Sequence, residues 1–436
     1  MLQLVELDHP HTAHSIKVVV DTCLEDWGIP KEKVLTFITD NGSNMVAAFK
    51  DDEGEDDEGE PTSTEEDDEV DEEDSRSLAE EQRYGGLKRT PCAVHTLQLV
   101  VNLVNKDGTV QRVLNKARKF VRTLRKSSVA LEKLIHLCGL TLTKDCPTRW
   151  SSTYLMISRL LQVKDSVVKV ADEMNWDCLQ ASEWQKLAAV RDLLAPFAEH
   201  TQTLQSDTSS LSLVVPTILD LRVHLTEFSA TSTYRDLKLL ADKMKTNLDE
   251  RFRCFFNPHG EKFSPLAATA TFLDPTVAAE ALLESDDPGI QELVTEVETY
   301  ISHTLSPPAV REEADEAEAL PEQPATSQSQ GKRPRFRFLS KGTSRPKPSK
   351  PSILDDIRKY KEQLSQPINE ESAFHFWDAQ GPTAYQTLRP IALDLLAMPA
   401  SQAFVERVFS ITGDLSRGKR NRAKDILERS AFLKLN

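Results

Sequence analysis

No stretch of this sequence reaches the roughly 18 consecutive apolar residues from which a membrane-spanning helix is built, so no membrane partner is expected. The start, MLQLVELDHPHT, has no basic region followed by an apolar run, which excludes a secretory signal there. Paired cysteines are absent too. The six cysteines, at 23, 92, 138, 146, 178 and 254, are scattered and do not form the framework of a small secreted domain, so a reducing compartment is expected. No Cys-x-x-Cys is followed by a His pair at finger spacing, which removes a two-Cys, two-His DNA-reading finger from the chain. There is no internal repeat and no pattern that marks a small-molecule substrate pocket.

Positive charge is also scarce. The net charge is −16, which taken whole speaks against a nucleic-acid partner. Its distribution reverses that reading. Residues 51–74 hold 17 acids and no Lys or Arg, so the remaining sequence carries −16 + 17 = +1. Dense like charge with almost no apolar residues does not offset chain entropy, and residues 51–86 are expected to be a disordered loop.

Around that insert the chain reads as alternating elements and then helices. Ile16, Val19, Val20, Cys23, Leu24 and Trp27 recur on one face of a helix over 11–27, stopped by Gly28-Ile29-Pro30. Val34 to Thr39 is short and β-branched and reads as a strand. Ser43 is placed to cap a short helix through Met45, Val46 and Phe49. Val94, Leu97, Val101 and Val104 mark a further helix. Residues 110–303 carry apolar stripes at helical spacing, among them Val113, Ala117, Phe120, Val121 and Leu124. A second stripe, Leu187 to Leu194, precedes Pro196 and Phe197, and a third joins Leu239, Leu240, Met244 and Leu248. Residues 304–352 are acidic and Ala/Pro-rich, then basic and Pro-rich, as a linker is. Beyond Ile353 helices return, with Leu388 to Ala397, a break at Met398-Pro399, and a helix from Ser401 through Phe409.

Four segments, in order, carry a family resemblance: FITDNGSNM at 37–45, CAVHTLQLVV at 92–101, CPTRWSSTYLMISRLL at 146–161, and LRPIALDLLAMPASQAFVERVFSITGDL at 388–415. Together they resemble hAT transposases and their domesticated relatives, including the BED zinc-finger group, although the finger itself is lacking. The resemblance implies an α/β plus α fold, in which an RNase H-like domain is interrupted by a large all-helical insertion. On this layout residues 1–50 are RNase H-like with the first strand missing, 51–89 the acidic disordered loop, and 90–109 RNase H-like again. Residues 110–303 are the helical insertion, 304–352 the linker, and 353–436 the RNase H-like return with the dimerisation region.

RNase H-like transposases hold two Mg²⁺ ions on three carboxylates. By resemblance Asp40 corresponds to the second acid and Glu406 to the third, so both are assigned as vestigial catalytic and metal-site residues. The first acid belongs on an earlier strand that these residues do not include; Asp8 and Asp21 fall on later elements. The expectation is therefore no strand cleavage and no cofactor, with Mg²⁺ relevant only if catalysis survived. Asp40 is equally what a strand-to-turn position beside Asn41-Gly42 calls for, and Glu406 suits a helix N-terminus.

Cys92 and His95 form a Cys-x-x-His pair, short of the four ligands of a structural zinc. By resemblance His95, Arg149 and Trp150 are DNA-side residues, with Trp150 stacking near a DNA end; a core Trp and a helix-start His are the alternatives. The run including Lys332, Arg333, Arg335 and Arg337 suits phosphate contact or nuclear import. Leu393, Leu396, Phe404, Val408, Phe409, Phe432 and Leu433 give the C-terminus more apolar surface than a terminal segment needs, and are expected to form a homodimer interface. The implied function is that of a nuclear, domesticated, catalytically inactive transposase derivative that dimerises and binds DNA or regulates transcription. A surviving DNA-cutting enzyme and a protein-interaction module without DNA contact are the alternatives.

Overall fold

The computed structural model describes residues 5, 11–49, 83–84, 87–146, 150–260, 262–305, 352–366, 368 and 372–416. Helix α1 (Ala13–Asp26) opens with Thr12, whose hydroxyl accepts from the Ser15 amide at 3.1 Å. It ends at Gly28, which takes a φ of 59° that only glycine adopts without strain. Strand β1 (Thr36–Thr39) follows, then α2 (Ser43–Ala48). Ser43 is the first helical residue and not the cap. The Asp40 carboxylate instead accepts from the Gly42 amide at 3.1 Å, closing the turn between strand and helix. Buried Ala48 and Phe49 gather Ala13, Ile16, Val20, Val34, Phe37 and Met45 into a small core of their own.

Strands β2 (Arg83–Tyr84) and β3 (Leu87–Pro91) complete a three-stranded sheet in the order β1-β3-β2. β1 and β3 run parallel with Thr36 opposite Lys88 and Thr39 opposite Pro91, while β2 is antiparallel to β3. Arg83 and Tyr84 pair as a strand, which corrects the expectation of a disordered loop over 51–86 at those two residues. The acid-dense residues 51–74 lie outside the described residues.

The rest is helical. The helices are α3 (Ala93–Lys106), α4 (Gly108–Lys126), α5 (Ser128–Cys138), α6 (Trp150–Gln162), α7 (Lys164–Met174) and α8 (Ala181–Leu204), followed by α9 (Val214–Ala230), α10 (Lys238–Arg251), α11 (Leu266–Phe272) and α12 (Pro288–Tyr300). After residues 306–351, outside the described residues, come α13 (Ile353–Leu364), α14 (Ala373–Ala379), α15 (Gly381–Ala384), α16 (Leu388–Leu396) and α17 (Ala403–Ser416). The helical stripes read from the sequence are buried, with Leu114, Ala117, Leu124, Leu187, Leu193, Met244 and Leu248 at 0% exposure. Leu239 and Trp27 point to solvent, and Val113 is half-buried. Pro196 does not end its helix: α8 runs through it to Leu204. Interior Pro costs a helix about 3 kcal/mol, and the burial of Leu193, Leu194, Phe197 and Leu204 on both sides offsets that.

One hydrophobic cluster runs from Cys92, just before α3, through the helical block to Ala400, so α3 and the C-terminal helices share the core of the central helices. Polar ties fix the join. Buried Asp356 on α13 accepts from the amide and hydroxyl of Thr387 at 2.9 and 2.5 Å. The Trp377 indole N–H donates to the Leu273 carbonyl at 2.8 Å. Trp377 stands among Tyr360, Phe376 and Tyr385 with ring centroids 5.2 to 5.7 Å away, a spacing suited to tilted aromatic pairs.

Candidate functional site

The parallel pairing of β1 and β3 sets two termini side by side. The Cys92 amide donates to the Thr39 carbonyl at 2.8 Å, so α3 begins where β1 ends. Asp40, the residue after β1, thus lies beside the first turn of α3, which carries His95. The segment 398–402 then lays α17 across the same corner. The Ala93 amide donates to the Ala400 carbonyl at 3.3 Å, and the Gln402 amide donates to the Cys92 sulfur at 3.4 Å. Gln402 Nε2 donates to the Ile38 carbonyl at 3.1 Å. From the other side, the Leu211 amide donates to the Met398 carbonyl at 2.7 Å and the Ser401 hydroxyl to the Leu204 carbonyl at 2.8 Å. Held from both sides, α17 places exposed Glu406 one turn beyond Gln402, with its amide on the Gln402 carbonyl at 3.0 Å.

Half-buried His95 is the hub. Burial pushes its pKa down from the ordinary 6.5, while the negative charges of Asp40 and Glu406 push it up. Arg89 and Arg251 push it down again. Desolvation prevails, because withdrawing an imidazole from water disfavours its charged form. His95 is therefore held toward the neutral imidazole near neutral pH. Two carboxylates and two guanidiniums thus act on the ring with opposite signs.

Arg89, in β3, is tied tightly into this corner. Its Nε donates to the Thr39 hydroxyl at 2.5 Å and its Nη2 to Asn41 Oδ1 at 2.8 Å; Nη2 also donates to the Asp40 carbonyl. Burial lowers its pKa to about 10, opposed first by Asp40. Burial raises the Cys92 thiol, and the Gln402 amide is the first of the groups that oppose the rise. Cys92 accordingly stays a thiol near neutral pH.

A pair of Mg²⁺ ions needs clustered oxygen donors of net negative charge. Among the described residues no group of three His, Cys, Asp or Glu side chains stands close enough to hold a metal ion. The Arg89 guanidinium is locked beside Asp40 at the end of β1. The residues present do not fit such a pair.

The remaining assigned residues fall in several places. Trp150 begins α6 but is 7% exposed and belongs to the core, so its ring is not open to stack on a base. Arg149, Lys332, Arg333, Arg335 and Arg337 lie outside the described residues, as do Phe432 and Leu433. Of the residues assigned to dimerisation, Leu396 at 2% and Val408 at 4% exposure are covered by the chain itself. Helix α16 turns Leu396 inward together with Ile391, Ala392 and Leu395, and Leu393 is half-buried. Phe404 and Phe409 remain open at 42% and 59%, joined by Val405 at 41%, which the sequence reading did not include. Arg89 and Gln402 were missed as well. Each is a single polar residue whose partners are set by strand pairing and by chain segments far away in sequence, and no spacing rule marks them.

Residues 90–193 match the ZBED1 RNase-like helical domain, and residues 356–431 match the hAT family C-terminal dimerisation region. The chain is 26% identical over 236 residues to Zinc finger BED domain-containing protein 4 of Homo sapiens, covering 52% of this chain and 19% of that protein. It is 27% identical over 206 residues to the Putative AC transposase of Zea mays, covering 44% of this chain and 24% of that protein. With Zinc finger BED domain-containing protein RICESLEEPER 1 of Oryza sativa subsp. japonica it shares 22% identity over 437 residues, covering 92% of this chain and 55% of that protein. The matches to the first two therefore span a quarter of those relatives or less. The chain is thus similar to hAT transposases and to BED zinc-finger proteins, and its residues 356–431 match a hAT dimerisation region.

Proposed function

We propose that this chain is a domesticated hAT transposase derivative that forms a nuclear homodimer, binds DNA largely through its phosphate backbone, and does not cut DNA. The observation that carries the reading is the Arg89 guanidinium, bonded to the Asp40 carbonyl and the Asn41 side chain at the end of β1. It sets a fixed positive charge beside Asp40, the residue assigned to the ancestral metal site. Asp40 and Glu406, from opposite ends of the chain, both raise the pKa of His95, which suits two remnants of one site. The corner then acts as a structural clasp joining the sheet to the C-terminal helices. It keeps the geometry of the fold without the donor set for phosphodiester chemistry. Regulation of transcription is the use to which a non-cutting DNA-bound dimer lends itself, and a nuclear site of action follows from the same reading.

The purified chain, incubated with labelled duplex DNA and Mg²⁺ or Mn²⁺, is expected to bind it without nicking or joining strands. Binding should weaken steeply with added salt, as phosphate contacts require. Metal-dependent cleavage that disappears in Asp40→Asn would overturn the non-cutting reading. The absence of any salt-sensitive DNA binding would overturn the DNA reading.

A further inference from the structure

Helix α4 (Gly108–Lys126) carries seven basic residues and no acidic one, in a chain whose net charge is −16. Its apolar side is spent on the core: Val110, Leu114, Ala117, Phe120, Val121 and Leu124 are all buried. The opposite side is exposed at Arg112, Asn115, Lys119, Arg122 and Lys126. The spacings of three and four residues put these five on a single stripe. At 1.5 Å per residue the stripe from Arg112 to Lys126 is about 21 Å long.

Two of the seven cations are neutralised by partners from neighbouring elements. Lys116 pairs with Glu183 at 2.6 Å and Arg118 with Asp145 at 2.6 Å. These pairs flank the stripe and fasten α4 to α8 and to the segment before α6. Arg125 donates to the Leu142 carbonyl and Arg112 to the Gly108 carbonyl at 3.1 Å, so both keep their charge. Lys119, Arg122 and Lys126 have no ion-pair or hydrogen-bond partner among the described residues. The stripe also starts at a firmly capped end, because the Asp107 carboxylate accepts from the Thr109 and Val110 amides at 2.9 and 3.0 Å.

A rigid row of cations with no exposed apolar residue among them does not suit a membrane surface, which an amphipathic helix enters by its apolar face. It suits a rigid polyanion of similar length. Duplex DNA presents one negative charge per roughly 1.7 Å of axis, and Arg and Lys on a helix face reach phosphates without reading bases. We propose that the exposed face of α4, centred on Lys119, Arg122 and Lys126, is a docking surface for the phosphate backbone of duplex DNA. This assignment rests on the DNA-binding reading above and locates it on one helix, away from the His95 corner.

The test uses the full chain and a labelled random-sequence duplex, with affinity followed by anisotropy over a range of salt. The triple variant Lys119→Glu, Arg122→Glu, Lys126→Glu is compared with a charge-matched control, Lys169→Glu, Lys243→Glu, Lys359→Glu, on exposed positions of other helices. All six side chains face solvent, and unchanged circular dichroism and thermal melting confirm folding. The α4 variant should lose at least about tenfold in affinity, and its salt slope should fall by roughly 2 to 3, since each phosphate contact contributes about 0.9. The control should stay within about twofold of wild type. If both triple variants weaken binding equally, or neither does, DNA binding stands and the α4 surface falls. If wild type shows no salt-sensitive binding, the DNA reading itself falls. If poly-L-glutamate displaces the duplex at equal charge concentration and binds α4 as tightly, the surface belongs to an acidic polypeptide and the DNA assignment is overturned.

Discussion

Gln402 Nε2 donates a hydrogen bond to the Ile38 carbonyl at 3.1 Å, across 364 residues of sequence. The acceptor lies in β1 and the donor immediately precedes α17, so this bond ties the first strand to the start of the last described helix. Gln402→Ala leaves the half-buried Ile38 carbonyl without that donor. Removing one partner of a buried pair costs about 1 to 3 kcal/mol. The variant is expected to lose about 1 to 2 kcal/mol in urea denaturation, with the midpoint lowered and the slope unchanged. A midpoint equal to wild type would show that the link carries no weight.

His95 offers a titration test of the same corner. Its pKa is lowered by burial and raised by Asp40 and Glu406, so removing either carboxylate should lower it further. Asp40→Asn and Glu406→Gln are each expected to move the His95 ring resonance titration to lower pH in NMR. Arg251 lowers the same pKa, and Arg251→Gln should move it the opposite way. The linkage to stability has a definite sign. The folded pKa lies below the unfolded value near 6.5, so the unfolded chain binds the proton more readily. The contribution of His95 is therefore complete above pH 6.5 and is lost as pH falls toward the folded pKa. His95→Gln should flatten the stability profile in that window, while above pH 6.5 the slope of stability against pH should stay as in wild type.

Arg89 ties the end of β1 through three acceptors: the Thr39 hydroxyl, the Asp40 carbonyl and the Asn41 side chain. Arg89→Met would strip all three of a charged donor, and bonds to charged groups are each worth about 1.5 to 3 kcal/mol. A loss of at least about 2 kcal/mol is expected in chemical denaturation. Arg89→Lys should recover little of it, because a point charge cannot reproduce the planar fork that reaches separate acceptors. Full recovery by Lys would mean that charge alone, and not the fork, holds the strand end.

Much of this architecture was legible in the sequence wherever it depended on local spacing. Strand β1, α1, α3 and the buried stripe of α4 follow from periodicity, because a helix face or a β-branched run is decided by neighbours three, four or two residues away. What escaped depended on the rest of the fold. The stripe of Leu187 to Leu194 does not show that α8 continues through Pro196 to Leu204, which apolar burial on both sides of the proline allows. The two-residue strand β2 has no pattern of its own and exists only because β3 offers an edge. Trp150, Leu396 and Val408 are large apolar residues that sequence cannot assign to a partner or to the chain's own core. The basic face of α4 stands in the sequence as seven cations without an acid, but which of them stay unpaired depends on Glu183 and Asp145 from other elements.

The inward and outward apolar residues of the C-terminal helices separate stability from assembly. Residues 356–431 match a dimerisation region, and within it Phe404, Val405 and Phe409 are 42%, 41% and 59% exposed, whereas Leu396 is 2% exposed. Three large apolar side chains on one exposed helix are the kind of surface a partner covers. Replacing Phe404 and Phe409 together by Asp places charge where a second copy would pack, while touching nothing in the chain's own core. Light scattering at micromolar concentration should then report a monomer, with thermal stability measured at low concentration close to wild type. Leu396→Ala should do the reverse. It opens a cavity in the core, which costs about 2 to 5 kcal/mol for Leu→Ala, and the protein that remains folded should still associate. A double Asp variant that stays dimeric would move the interface off α17.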